Sequence, residues 1–147
     1  MRSSNMKEGR AMSPEEELRQ TVAHIQVVSQ HYLSGEAAPF LACWSHADDV
    51  TIFGAWGAYE RGWAQVGPRL EWGARRYRGG HSEFELLALA VSGDLGYTTW
   101  IERGEARVEG VEELRPMGLR VSQIYRREAD GWKIIHRHGD AITEKIA

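Results

Sequence analysis

Two short stretches combine side chains that could do chemistry. The first is His136-Arg137-His138, set in the apolar run that starts at Trp132. Strand alternation would put both histidines on one face and Arg137 on the other. Histidines turned into a pocket would serve as acid–base or hydrogen-bonding groups. Histidines turned to a subunit interface would leave Arg137 to the pocket. Register chooses between these readings, and a bulge in the strand would exchange the faces. The third reading, metal binding through His-x-His, needs further ligands at set spacings, and Glu144 and Asp140 do not complete a set, so no metal is expected. The second stretch is Arg120-Val121-Ser122. An arginine inside a mostly apolar strand needs a partner. It could anchor an anionic ligand, with Ser122 on the same face. It could equally pair with Glu102 or Asp48, or face solvent. A third cluster, His46, Asp48 and Asp49, precedes the run Val50 to Phe53. Short carboxylates there suit a turn that delivers a strand more than catalysis.

Six tryptophans in 147 residues suggest an aromatic-lined cavity or a large buried interface. Trp56, Tyr59 and Trp63 are placed to sandwich a flat apolar ligand, with core packing as the alternative for each. Together with Thr99, Arg120, Ser122, Ile124 and Arg137 they form the expected ligand-binding set. The candidate catalytic groups are His136, His138 and Arg120. Cys43, the only cysteine, reads as an inert core residue.

These residues need elements to hold them. Ser13-Pro14-Glu15-Glu16 supplies an N-cap, a first-turn proline and a capping-box glutamate. Leu18, Val22, Ile25, Val28 and Tyr32 follow at helical spacing, and Gly35 ends the helix. A short helix is expected from Ala37 to Trp44 and a strand from Val50 to Phe53. A further helix is expected from Trp63 to Tyr77, stopped by Gly79-Gly80, with Pro68 in its first turns or kinking it. Four strands follow: Ser82 to Ser92, Leu95 to Val108, Pro116 to Arg127 and Trp132 to about Asp140. Helices first and an antiparallel meander afterwards is an α+β pattern. Residues 1–12 read as a disordered tail, and 13–147 as one domain.

Composition removes several classes. The chain is 42% hydrophobic and 27% charged with net charge −3, which fits a globular domain and gives no footprint for nucleic acid or an anionic membrane. No apolar run is long enough to span a bilayer. The N-terminal residues lack a signal-peptide apolar core, and one cysteine permits no internal disulfide, so the expected location is cytoplasmic.

The motifs "SHADDVTIFG", "YERGW" and "YRREADGWKIIHRH", in this element order, resemble the nuclear transport factor two-like superfamily and its SnoaL-like domains. The resemblance covers roughly residues 14 to 141. It implies a cone-shaped barrel, a curved, mostly antiparallel sheet wrapped around N-terminal helices, with a pocket at the open mouth. It also implies a homodimer through the outer sheet face, with Trp100 and Tyr125 expected on that face. The superfamily includes ketosteroid isomerase, and its three catalytic positions align here with Gly54, Val28 and Ser122, so none is kept. Limonene epoxide hydrolase has an Arg-x-Asp pair that aligns with Arg120-x-Ser122, which keeps only the arginine. The association domain of calmodulin-dependent kinases gathers arginines in its pocket, as Arg120, Arg126 and Arg137 could. The implied function is binding of a small hydrophobic ligand, with a cofactor-independent lyase, isomerase or cyclase reaction as one outcome. A non-catalytic ligand-binding or dimeric assembly module is the alternative.

Overall fold

The computed structural model describes residues 11–146. The tail expected over residues 1–12 lies almost entirely outside the described residues. Helix α1 (Pro14–Leu33) begins as its sequence dictates. Ser13 Oγ accepts from the Glu16 N–H at 3.1 Å, and the Glu16 carboxylate accepts from the Ser13 N–H at 3.1 Å. Such a cap contributes about 1 kcal/mol. Leu18, Val22, Ile25 and Val28 are all buried, forming the helix's core face. The short helix α2 (Ala38–Leu41), strand β1 (Thr51–Phe53), strand β2 (Glu60–Arg61) and helix α3 (Trp63–Ala74) follow. The long strands are β3 (Tyr77–Ser92), β4 (Leu95–Val108), β5 (Arg115–Glu128) and β6 (Gly131–Ala141).

All six strands form one sheet in the order β2-β1-β6-β5-β4-β3. Only β1–β6 is parallel; the other pairs are antiparallel. The sheet does not close, because β2 and β3 are its free edges. Gln30 of α1 covers part of the β3 edge. Its amide donates to the Ser82 carbonyl at 2.8 Å and accepts from the Ser82 N–H at 3.1 Å, which satisfies an edge that would otherwise be open. The core lies between α1 and the inner sheet face, built from Leu18, Ile25, Trp44, Trp100, Tyr125 and Ile134 among others.

One expectation about an element needs correction, and one element was not expected. Helix α3 ends at Ala74, and Tyr77 to His81 belong to β3 rather than to a helix and its stop. Gly79 and Gly80 have φ of +112° and +149°, and a Cβ on Gly80 would lie 2.3 Å from the Glu105 carbonyl oxygen. They let the strand bend through a register shift against β4, where other residues would break it. The two-residue β2 is too short to leave a periodic signal. Pro68 sits in the second turn of α3, within the first turns as expected.

Sheet parity is the larger correction. Trp100 and Tyr125 were expected on the outer face, yet they are 1% and 0% exposed and belong to the core. The inner set runs Thr98, Trp100, Glu102 on β4 and Val121, Gln123, Tyr125 on β5. The outer set therefore holds Thr99, Arg120, Ser122 and Ile124. Alternation on β5 already carried this answer, because Arg120, Ser122 and Arg126 form the more polar half of that strand.

Candidate functional site

A cavity of about 100 Å³ lies between α1, α3 and the inner sheet face. That is room for a fragment-sized molecule or several waters. Leu33, Phe40, Ile52, Leu70, Met117 and Leu119 give it apolar walls. Tyr32, Trp56 and Tyr77 add aromatic surface, and Ser29, Ser82, Glu102 and Arg137 the polar groups.

Local sequence explains how each polar group arrives. On β6, Ile124 pairs with His136 but Tyr125 pairs with Ile134, so Ile135 is an extra residue in the ladder. This bulge changes the strand's parity. Trp132 and Ile134 face the core before it; Arg137 and Gly139 face the cavity after it. Gly139 has no side chain, and the Arg137 guanidinium lies over it: a Cβ there would sit 3.6 Å from one terminal nitrogen. Glu102 reaches the cavity because it shares the inward parity of Trp100.

Arg137 and Glu102 form an ion pair at 3.2 Å, with their side chains 15% and 6% exposed. A second Arg137 nitrogen donates to Gln123 Oε1 at 2.9 Å. Gln123 passes its amide N–H to the Tyr125 hydroxyl at 2.8 Å, and Tyr125 shares a 2.6 Å bond with Thr98. Five polar side chains thus form one buried chain along the inner face. Burial with only partial compensation from Thr98 and Gln123 pushes the Tyr125 phenol up to about 12, so it stays a neutral link. The guanidinium uses two of its five N–H donors in these bonds, which leaves donors for a ligand. It also lies 5.9 Å from the Phe40 ring centroid, within cation–π range.

The aromatic wall is held from outside. Tyr32 donates to the Leu70 carbonyl at 2.7 Å, and burial raises its pKa far above the usual tyrosine range. Burial also raises Tyr77, against the opposing pull of Arg137. Trp56 stands edge-on to Trp72 at 5.7 Å and to Tyr77 at 5.9 Å. Trp56 is 43% exposed, so it forms the cavity's rim rather than its floor.

The expected site residues separate into two groups. Arg137 and Trp56 line the cavity. Tyr59 is 70% exposed and does not. Trp63 stacks on His46 at 3.9 Å, 9° from parallel, and packs near Trp44 at 6.4 Å, away from the cavity. Thr99, Ser122 and Ile124 sit on the outer face by parity. Arg120 is there too, in a bidentate pair with Asp140 at 2.8 and 2.9 Å, so it anchors no ligand in the cavity. His136 and His138 also face outward, both edge-on to Phe53 at 4.9 and 5.4 Å. His136 Nδ1 bonds the Thr51 hydroxyl at 2.7 Å. Their expected catalytic role in the pocket is corrected by the Ile135 bulge. Arg126 is occupied by Asp49, at 2.7 and 3.1 Å, and by Glu128. Asp49 thus has a distant partner, and that guanidinium holds its carboxyl below the usual range.

Glu102, Gln123, Tyr32 and Tyr77 were not anticipated as site residues. Glu102 carried a signal: it follows Thr98 and Trp100 at period two. Among the described residues no three His, Cys, Asp or Glu side chains gather as metal ligands. No described helix is long and apolar enough to cross a membrane.

Gly54, which the resemblance was expected to set at the general-base position of ketosteroid isomerase, lines the cavity, and a Cβ there would meet nothing within 4 Å. Val28 is buried in the core instead of lining the cavity, and Ser122 points away from it.

Comparison with known proteins agrees with this architecture. A ketosteroid isomerase-like protein from Erwinia carotovora atroseptica superposes with a TM-score of 0.76 at 12% identity, covering 91% of this chain and 100% of that one. A nuclear transport factor two-like superfamily protein from Salmonella enterica gives 0.73 at 14% identity, covering 90% and 93%. A protein of the same fold and unknown function from Pseudomonas putida gives 0.68 at 25% identity, covering 91% and 92%. No curated protein matches the chain's sequence. The family model described as the SnoaL-like domain matches residues 23–143, so the chain belongs to the SnoaL-like domain family, with the α+β cone of the nuclear transport factor two-like superfamily.

Proposed function

We propose that this chain binds a small, flat, largely apolar molecule in the cavity and holds its polar group on Arg137. One observation carries the reading: a buried Arg137–Glu102 pair, with donors to spare, in otherwise apolar and aromatic walls. Such pockets use a few placed polar groups to orient a ligand. A thermal-shift screen tests it. A binder at about 100 times its dissociation constant adds about 2.7 kcal/mol of apparent stability. Trp56→Ala should weaken every binder that stabilises the wild type. A screen in which binders keep their affinity in Trp56→Ala and Arg137→Met would refute the site.

A catalytic reading is favoured by Glu102, the one carboxylate among the described lining residues. It would take a proton from the bound molecule while Arg137 steadies the oxygen that gains charge, as in a cofactor-independent isomerase, lyase or cyclase. Glu102→Gln would then abolish turnover while ligand still binds.

The outer sheet face is proposed as a homodimer interface. Exposed Phe53, Leu95, Tyr97 and Ile124 lie on it, and the ion pairs Arg120–Asp140 and Arg103–Glu85 lie among them. An apolar patch with charged surroundings is the pattern expected of a two-fold interface. Light scattering should give twice the chain mass.

A further inference from the structure

We propose that Glu102 sets the charge of the ligand, so that the cavity takes neutral molecules and rejects carboxylates. The inference rests on the cavity being the binding site. Among the described residues lining it, Arg137 and Glu102 are the only charged groups, and they cancel. The cations near the rim are matched as well. Arg69 and Arg76 both stack on Trp72, at 4.0 and 4.6 Å, and they lie 3.9 Å from Glu60 and 3.4 Å from Glu109 respectively. No uncompensated positive charge among the described residues therefore faces a ligand.

A carboxylate bound on Arg137 would stand beside Glu102, itself 6% exposed, in a site with little water to screen the two anions. It would also share the guanidinium that now satisfies Glu102, which leaves one buried anion short of a partner. A neutral carbonyl or amide meets neither penalty. It can accept from the spare guanidinium donors and donate to Glu102, whose Oε2 alone takes the Arg137 bond. The ligand class is therefore a neutral, planar molecule with adjacent acceptor and donor groups. Removing either charged residue should change the preferred ligand charge in opposite directions.

Three isosteric probes test this: benzoate, benzamide and benzamidinium, titrated calorimetrically at pH 7.5. The wild type should bind benzamide at least tenfold tighter than benzoate. Glu102→Gln, whose cavity carries one positive charge, should reverse that order. Arg137→Gln, whose cavity carries one negative charge, should prefer benzamidinium. The two variants shift charge oppositely, so either one that folds is decisive. Benzoate binding the wild type as tightly as benzamide overturns the proposal, as does one unchanged order of preference across the proteins. If none of the probes binds any of the proteins, the cavity-binding reading fails and takes the charge rule with it.

Discussion

Arg137→Met is the perturbation whose cost can be worked out most fully. It removes both bonds of a nearly buried guanidinium, at 2.9 Å to Gln123 and 3.2 Å to Glu102. Gln123 is fully buried, so its amide oxygen loses its donor. An orphaned buried acceptor costs about 1–3 kcal/mol, and an unpaired buried charge about 3–5 kcal/mol. In this variant the space the guanidinium leaves borders Glu102, and a water entering it would relieve part of the second penalty. The expected total is about 3 kcal/mol, or a fall of about 10 °C in melting temperature. Glu102→Gln keeps an acceptor for Arg137 and should cost about 1 kcal/mol. The double variant has no unpaired charge and should cost about 2 kcal/mol, less than the sum of the singles. Urea denaturation of the four proteins measures the cycle. Single costs that add to within about 0.5 kcal/mol would show the pair uncoupled, and would remove the basis for treating it as one recognition unit.

Burial, and then His138, hold the His136 pKa below 6.5 in the folded chain. The unfolded chain then binds more protons, so this contribution is complete above about pH 6.5 and is lost as pH falls through the folded value. Urea midpoints from pH 7.5 to 5 should fall in the wild type and flatten in His136→Gln. Gly104→Ala would put a Cβ 1.9 Å from the His81 carbonyl oxygen, backbone against backbone, and should cost more than about 3 kcal/mol by chemical denaturation. Tyr97→Arg with Ile124→Arg should give monomers by light scattering with an unchanged circular dichroism spectrum; a persisting dimer refutes the sheet-face interface.

Much of the fold is legible in the order of the amino acids. The capping box at Ser13, the apolar spacing from Leu18 to Tyr32 and the glycine turns at Gly93 and Gly131 are local signals, and local signals survive in sequence. The Gly79-Gly80 pair misleads because glycine stops a helix and also frees a strand to bend; only the neighbour at Glu105 distinguishes the two. The outward expectation for Trp100 and Tyr125 came from assigning their strand positions the wrong parity, and only the dimer role of that face came from resemblance; the polar positions of β5 pointed the other way.

The sequence alone determines the order of the main elements, the family and the presence of one arginine and two histidines on opposite faces of β6. Tertiary structure decides which face is which. The reason is the single extra residue Ile135, whose bulge exists only because β6 must pair with β5 on both sides of it. Glu102 becomes a partner of Arg137 only when β4 and β6, separated by β5, turn the same parity inward. An ion pair formed across 35 positions of chain leaves no local pattern, and it is this pair that gives the cavity its chemistry.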